Sequence, residues 1–333
     1  MPLISIVMPF RNAAATLPEA LASVRAQTFT DWELLAVDDH STDDSAGVVR
    51  DFAATDQRVT LLKASSRGVV AASETAGRVA QAEWLARMDA DDVSHPQRLE
   101  RQWEMSQALP HLDVIGSGVE ILTPLGEGMS RHVAWVNSLV EPEAIANARF
   151  IENPLVHPSA LMRKSAIRAA GGYREVPWAE DHDLWLRLLE AGSIFGKVPE
   201  TLLGWRDSPG RLTRSDPRYG DTFRNKMRAH FLARMPAIRE RGVVISGAGP
   251  IGKTIAQELQ LRGIEVKGFF EVHPRRIGEK IHGAPVAGLD EFGKKWRDAV
   301  MLGAAGTPGA RDDIRRMARE AGYRDGADFW ALC

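Results

Sequence analysis

A single cysteine in 333 residues, Cys333, excludes an internal disulfide framework and a cysteine-rich zinc site, and it fits a reducing compartment. Long apolar runs are missing as well. The run from Leu3 to Met8 stops at Pro9 and Arg11, too short for a signal core, and no later stretch reaches the ~18 apolar residues of a membrane span. The expectation is a cytoplasmic protein. Charge of one sign is also lacking: 42 Lys and Arg against 44 Asp and Glu leave a formal net charge of −2, which argues against a dedicated nucleic-acid binder. What remains is the composition of a soluble globular protein, 44% hydrophobic and 26% charged, at a length that suits two domains.

Three acids crowd into Asp89-Ala90-Asp91-Asp92, between the apolar approach Trp84 to Met88 and the segment Val93-Ser94-His95-Pro96. That places them where a strand runs out into a turn. Mutual repulsion raises their proton affinity unless a cation or donor groups neutralise them, so the cluster points to a hard metal such as Mg²⁺ or Mn²⁺. Such a metal keeps open positions that phosphate oxygens fill, which suggests a nucleotide-diphosphate substrate. Taken alone, an acidic solvated turn also explains the cluster.

Around it, strand-like runs (Ile4 to Met8, Trp32 to Val37, Val59 to Lys63) alternate with helix-like runs (Leu17 to Gln27, Ser45 to Ala53). This alternation predicts a mostly parallel sheet covered by helices, with ligands at the carboxyl ends of its strands. Pro9-Phe10-Arg11-Asn12 follows the first strand, and Asp38-Asp39-His40-Ser41-Thr42-Asp43-Asp44 follows the second. Ser41, Thr42 or Asp43 can cap the next helix. Asp38 and Asp39 need another account: hydrogen bonds to a base or ribose, or duty as satisfied surface carboxylates.

The motifs in register carry a resemblance. Ser5 to Asn12, Ser23-Val24-Arg25-Ala26-Gln27-Thr28, Trp32-Glu33-Leu34 leading to Val37-Asp38-Asp39, Ala86 to Asp92 and Pro96-Gln97-Arg98-Leu99-Glu100 resemble family 2 glycosyltransferases of the GT-A type. Asn153 to Ser159, Gly171-Gly172-Tyr173 and Glu180 to Arg187 resemble the acceptor-side half of the same family, so the likeness covers roughly residues 3 to 215. It implies an inverting transfer of a sugar from a nucleotide-diphosphate donor, usually a UDP-sugar, to an acceptor hydroxyl. By position, Asp39 corresponds to the acid that binds the base, with Pro9, Phe10 and Asn12 in the same pocket. Asp89 and Asp91 correspond to the outer residues of the Asp-X-Asp motif that meets ribose and a Mn²⁺ or Mg²⁺ ion, and Asp181 to the catalytic base. Arg67 is a candidate for neutralising phosphate, as is Arg206, although a surface ion pair explains either.

Local chemistry offers plainer accounts of several of these residues. Glu180, Asp181 and Asp183 open an amphipathic helix, where first-turn acids are favoured by the dipole. Trp185 and Leu188 read as core, Arg187 as a surface partner of Asp183 one turn away, and His157 as a loop residue or a site residue. Three positions depart from the family's pattern. His40 stands where glycine often follows the two acids, predicting a different loop conformation. Glu74 replaces a usual asparagine and would oppose a diphosphate if it pointed inward. Asp207 and Ser208 stand where a histidine is common.

From Arg211 to Arg241 the chain is basic, with helical spacing of Phe223, Met227, His230, Phe231 and Met235. It reads as a packed linker helix ended by Pro236, or as an amphipathic helix in peripheral contact with an anionic membrane. A second unit opens at Val243-Val244-Ile245-Ser246, followed by Gly247-Ala248-Gly249-Pro250-Ile251-Gly252 and, about 20 residues on, Glu271 at a strand end, as expected for an acid reaching a ribose. This unit resembles small Rossmann-like domains found beside sugar-modifying enzymes. Gly247, Gly249 and Gly252 either cradle a nucleotide or only permit close packing in a docking or dimerisation module, which leaves a homo-oligomer open.

The expected fold is therefore α/β: a GT-A nucleotide-sugar-binding mixed sheet with helices on both faces over 1–218, a basic helical linker over 219–240, and a small Rossmann-like domain over 241–333. The expected partners are a nucleotide-sugar and a glycan or lipid-linked acceptor in polysaccharide or glycoconjugate synthesis. The alternatives are a nucleotide-binding oxidoreductase or sensor led by the second unit, and a catalytically degenerate transferase scaffold.

Overall fold

The strand β1 (Ile4–Phe10) is buried at every position, as a parallel strand covered on both faces must be. Its alternate side chains serve two cores: Ile4, Ile6, Met8 and Phe10 pack on one face with Leu34 and Ala36, whereas Val7 packs on the other with Leu35 and Val37. The computed structural model describes residues 1–122, 127–207, 211–307 and 309–333. Contacts divide the chain into two units, Met1–Ile145 with Pro154–Val176 and Glu180–Arg211, and Ala146–Asn153 with Pro177–Ala179 and Leu212–Cys333.

After β1 come α1 (Leu17–Arg25), β2 (Trp32–Asp38), α2 (Ser45–Ala53), β3 (Val59–Lys63), α3 (Val69–Val79) and β4 (Trp84–Arg87). The chain continues through β5 (Val93–Ser94), α4 (Arg98–Ala108), β6 (Val114–Ile121), α5 (Glu127–Ser138), α6 (Pro142–Ala148), β7 (Leu161–Arg163), α7 (Lys164–Ala169), α8 (Glu180–Glu190) and β8 (Phe195–Trp205). Strands join in the order β3-β2-β1-β4-β7-β6-β8-β5. β1 is parallel to β2 and β4, and β2 to β3, while β7 is antiparallel to both β4 and β6, so the sheet is mixed. Strand order reverses at β1, with β2 and β3 on one side and β4 on the other. The carboxyl ends of β1, β2 and β4 thus flank a topological switch point, where open α/β sheets bind ligands.

Trp185 of α8 is fully buried, edge-on to Phe195 at 5.6 Å and to His157 at 5.5 Å. The core reading of Trp185 and Leu188 agrees with this placement. We expect Trp185→Ala to cost about 3–5 kcal/mol of folding stability, measured by chemical denaturation; a loss under about 1 kcal/mol would mean that the ring is not packed as described. Arg187 departs from expectation. Its pair with Asp183 at 2.7 Å is buried rather than superficial, and it also donates to the Ala170 carbonyl, tying α8 to the end of α7.

The second unit holds α9 (Leu212–Ser215), α10 (Asp221–Leu232), α11 (Pro236–Arg241), β9 (Val243–Ser246), α12 (Pro250–Gln260), β10 (Val266–Glu271), β11 (Lys280–Ile281), β12 (Ala284–Gly288), β13 (Val300–Gly303), α13 (Ala310–Glu320) and β14 (Phe329–Ala331). Its sheet runs β11-β12-β10-β9-β13-β14, parallel throughout except for β11. Met227, Phe231 and Leu232 of α10 are buried, and α10 packs along α12, so the apolar side of the basic stretch is consumed within this unit. The helix stops at Leu232, before Pro236, which instead opens α11 at a position where its missing N–H costs nothing. Among the described residues no helix is long and apolar enough to cross a membrane.

Candidate active site

Register brings the polar strand ends together. Phe10 pairs with Asp38 across β1 and β2, and the Asp39 N–H donates to the Phe10 carbonyl at 2.8 Å. Asn12, in the left-handed region at φ 49°, accepts from the Thr42 N–H at 2.8 Å, and its own N–H donates to the Ser41 hydroxyl at 3.1 Å. Asp38 accepts from the Ser41 N–H and Asp43 from the Ala14 N–H, so the two loops are knitted side by side. Asp43 thus bridges the loops, and its contact with Ser45 precedes α2, leaving Asp44 at the N-cap without a side-chain cap. Phe10 and Pro9 are buried, and the Phe10 ring belongs to the core, so it supports this pocket from below.

His40, at φ 56°, takes the left-handed conformation that a glycine adopts freely, at a cost of about 1–2 kcal/mol. Asp39, largely buried, accepts from the Gly68 N–H at 2.7 Å, which couples the end of β2 to the start of α3. Arg67, the next residue back, is exposed. The Glu74 carboxylate accepts the Tyr173 N–H at 2.8 Å, beside Gly172 at φ 68°.

At the end of β4, Asp89, Asp91 and Asp92 present carboxylate oxygens within 4.8 Å of one another. Arg87 Nε donates to Asp89 at 2.9 Å and its Nη1 to Ser73 at 2.9 Å. Arg211 lies 3.6 Å from Asp89 and 3.5 Å from Asp92, with its guanidinium 4.9 Å from the Trp205 ring centre. Arg206 braces the turn, its N–H donating to Asp92 and its Nε to the Asp91 carbonyl, both at 2.8 Å, and it pairs with Glu19. The three carboxyls titrate differently. Burial alone would raise Asp89, but Arg87 and Arg211 outweigh it and hold it below its ordinary value. Burial raises Asp91, with the Asp89 charge adding to it against Arg211. Asp92, fully buried, is driven well above the usual range by burial in the same company, and its second oxygen has no hydrogen-bond partner among the described residues. An all-oxygen donor set with one buried oxygen left over fits a hard divalent cation.

Behind the acids lies a polar pair, a buried histidine and a half-buried tyrosine. His157 Nε2 meets the Tyr173 hydroxyl at 2.7 Å, and the charges of Arg87, Glu180, Asp181 and Asp89 all act on that hydroxyl, so the helix bearing Asp181 and the acidic turn converge on one centre. Asp181 stands in the first turn of α8, where its carboxylate accepts the His182 N–H at 2.7 Å. Burial, with Arg87 adding to it, pushes His157 down to about 3, and burial pushes the Tyr173 phenol up. A histidine neutral when folded but titrating near 6.5 when unfolded leaves the unfolded chain with the extra proton in between, so this stability is full above about pH 6.5 and lost as pH falls. We expect about 2 kcal/mol of it to disappear between pH 7.5 and 5.0 in thermal or urea unfolding, and His157→Gln to lose that much less over the same interval.

Sequence reasoning counted Asp92 in the acidic cluster but missed Arg87, Arg98, Tyr173 and Arg211 as parts of this site. Arg98, buried and lowered to about 10 by burial, donates to the carbonyls of Arg87 and Pro158 and so clamps the end of β4 to the turn at His157. Its signal was its place in the Pro96 to Glu100 motif. Arg87 could have been found from its spacing, since residues two apart at a strand end share a face with Asp89. Asp207 is buried, and Ser208 lies outside the described residues.

In the second unit, Gly247 adopts φ 110°, and a Cβ on Gly252 would sit 2.0 Å from the Gly247 carbonyl oxygen, so close packing accounts for both. Gly249 is different: a side chain there would meet nothing within 4 Å. Glu271 accepts the N–H groups of Val272, His273 and Ala248 and pairs with Arg276 at 3.1 Å. Burial opposes ionisation, but these donors prevail and hold it below the ordinary carboxylate value. Its carboxylate thus braces the glycine loop.

A mixed sheet with a buried acid and an acidic cluster at the carboxyl ends of its strands is an α/β protein of the kind that binds ligands at its switch point. The sequence profile of glycosyl transferase family 2 matches residues 5–171, and the chain belongs to that family of glycosyltransferases. It is 32% identical over 223 residues to EpsE of Bacillus subtilis (strain 168), spanning 66% of this chain and 78% of that one. It is 28% identical over 193 residues to the UDP-Glc:alpha-D-GlcNAc-diphosphoundecaprenol beta-1,3-glucosyltransferase WfgD of Escherichia coli, spanning 58% and 72%. Two longer relatives match over 221 and 210 residues, and the chain spans only 23% and 16% of them. In fold it is similar to S. aureus TarS in complex with UDP, with a TM-score of 0.54 at 14% identity over 78% of this chain and 71% of that one.

Proposed function

We propose that this chain moves a sugar from a nucleotide-diphosphate donor, a UDP-sugar, to an acceptor hydroxyl with inversion at the anomeric carbon. The observation that carries the reading is the set of three carboxylates within 4.8 Å at the end of β4, one with a buried unpaired oxygen. Asp89 and Asp91, with Asp92 beside them, would hold Mn²⁺ or Mg²⁺, which when bound neutralises the charge gathering on the departing diphosphate. Asp39 would receive the base, with Asn12 and the backbone at Pro9 and Phe10 shaping that pocket and Arg67 facing phosphate. Asp181 would take the proton of the acceptor oxygen as that oxygen bonds to the anomeric carbon and the bond to the diphosphate breaks, its electron pair leaving with the phosphate. Attack opposite the leaving group inverts the centre.

The acceptor in this reading is a glycan or lipid-linked sugar in polysaccharide or glycoconjugate synthesis, as the printed substrate of WfgD suggests. Residues 1–218 would carry the chemistry, and 241–333 would bind a nucleotide at the glycine loop or serve for docking, with the open space at Gly249 favouring a ligand. Contact of the basic stretch 211–241 with an anionic membrane would be electrostatic, because the apolar side of α10 is buried. The test is nucleotide release from a panel of UDP-, GDP- and TDP-sugars with Mn²⁺ and a mixed glycan acceptor, with the product anomer read by NMR. UDP release with an inverted product is expected. A retained anomer would remove Asp181 from its role, and no release from any donor would favour the scaffold reading.

A further inference from the structure

We infer that Arg211 couples cation binding to donor binding by exchanging its carboxylate contacts for the donor's diphosphate. The inference rests on the transferase reading above. Arg211 sits against two of the three acids of the cluster, at 3.6 Å from Asp89 and 3.5 Å from Asp92. Both separations are those of an ion pair and exceed a normal hydrogen-bond length, whereas Arg87 binds Asp89 at 2.9 Å. The side chain is held from behind: its Nη1 donates to the Arg206 carbonyl, and the guanidinium lies over Trp205. It can therefore give up the acids while the Trp205 contact keeps it close to the site.

Charge decides the exchange. With no donor, Asp89 is met by the guanidiniums of Arg87 and Arg211, and Asp92 by that of Arg211. A divalent cation added to that set would lie within a few ångströms of Arg211, and the two like charges would compete for Asp89 and Asp92 in a poorly screened site. A diphosphate reverses the balance. Its oxygens accept paired hydrogen bonds from a planar guanidinium, so Arg211 gains a partner when it leaves the carboxylates to the cation. Cation alone then binds weakly, cation with nucleotide diphosphate binds strongly, and each raises the other's affinity by the same factor.

The test titrates Mn²⁺ into the full chain, following the free-ion signal by electron paramagnetic resonance, with and without UDP, for the native protein, Arg211→Gln and Arg211→Lys. In the native chain UDP should tighten Mn²⁺ binding by about 10-fold or more. Arg211→Gln should bind Mn²⁺ alone about 3- to 10-fold more tightly than the native chain, and the factor contributed by UDP should shrink correspondingly. Arg211→Lys, which keeps the charge but loses the planar fork, should still oppose Mn²⁺ alone and recover only part of the UDP effect. If Arg211→Gln binds Mn²⁺ no more tightly without UDP, or leaves the UDP factor unchanged, the exchange is refuted while the transferase reading stands. Absence of Mn²⁺ binding in every protein, with UDP present, would overturn both.

Discussion

Asp91→Ala is expected to abolish Mn²⁺-dependent binding of UDP, weakening it by about 100-fold or more in calorimetric titration while leaving the melting temperature nearly unchanged. The size follows from the proposed role: a carboxylate that would bind a divalent cation is lost from a partly buried cluster, and 100-fold corresponds to about 2.7 kcal/mol. Asp91 is the informative choice among the three acids. Asp89 is bonded to Arg87, and Asp92 accepts the backbone of Arg206, so replacing either would also loosen the turn. Among the described residues the Asp91 carboxylate has no ion pair within 4.0 Å, and its main-chain carbonyl accepts from Arg206. If Asp91→Ala bound UDP and Mn²⁺ like the native chain, the cation would have to be held elsewhere.

Asp181→Asn should lower turnover by about 10²- to 10⁴-fold and leave the affinity for UDP with Mn²⁺ within about twofold. The amide retains an oxygen that can accept the His182 N–H, so α8 keeps its first turn, but it cannot take a proton. The separation of the two variants is the useful result, because Asp91→Ala should fail at donor binding and Asp181→Asn at the chemical step. Loss of UDP binding in Asp181→Asn would place that carboxylate in the donor pocket instead.

Much of the sheet is legible in the sequence. The runs Ser45–Ala53, Val59–Lys63 and Val243–Ser246 coincide with α2, β3 and β9, because local apolar periodicity dominates in strands and helices covered on both sides. The ends were less legible. The helix expected to run to Gln27 stops at Arg25, and Gln27 instead donates to the Ser94 hydroxyl and the His95 carbonyl across 67 and 68 residues. Pro236 was read as a stop and is a start, since proline serves either purpose and only the following chain decides. In the candidate site, Asp39, Asp89 and Asp91 were legible because each closes a strand, and strand ends in such sheets face the ligand. His40 and Glu74 were read as departures that could disturb the site. The first takes a left-handed conformation, and the second pairs with the Gly172-Tyr173 backbone 99 residues away.

The sequence by itself determined the family, the alternation of strand and helix, and the acids at the strand ends, since all of these follow from short-range pattern and from motifs in register. Only the tertiary structure decided what surrounds those acids. Arg211, which follows β8 in the chain, reaches Asp89 and Asp92, and Tyr173, between α7 and α8, meets His157. Whether a carboxylate is raised, lowered or left with an empty oxygen depends on charges within a few ångströms, and the chain brings those together only by folding.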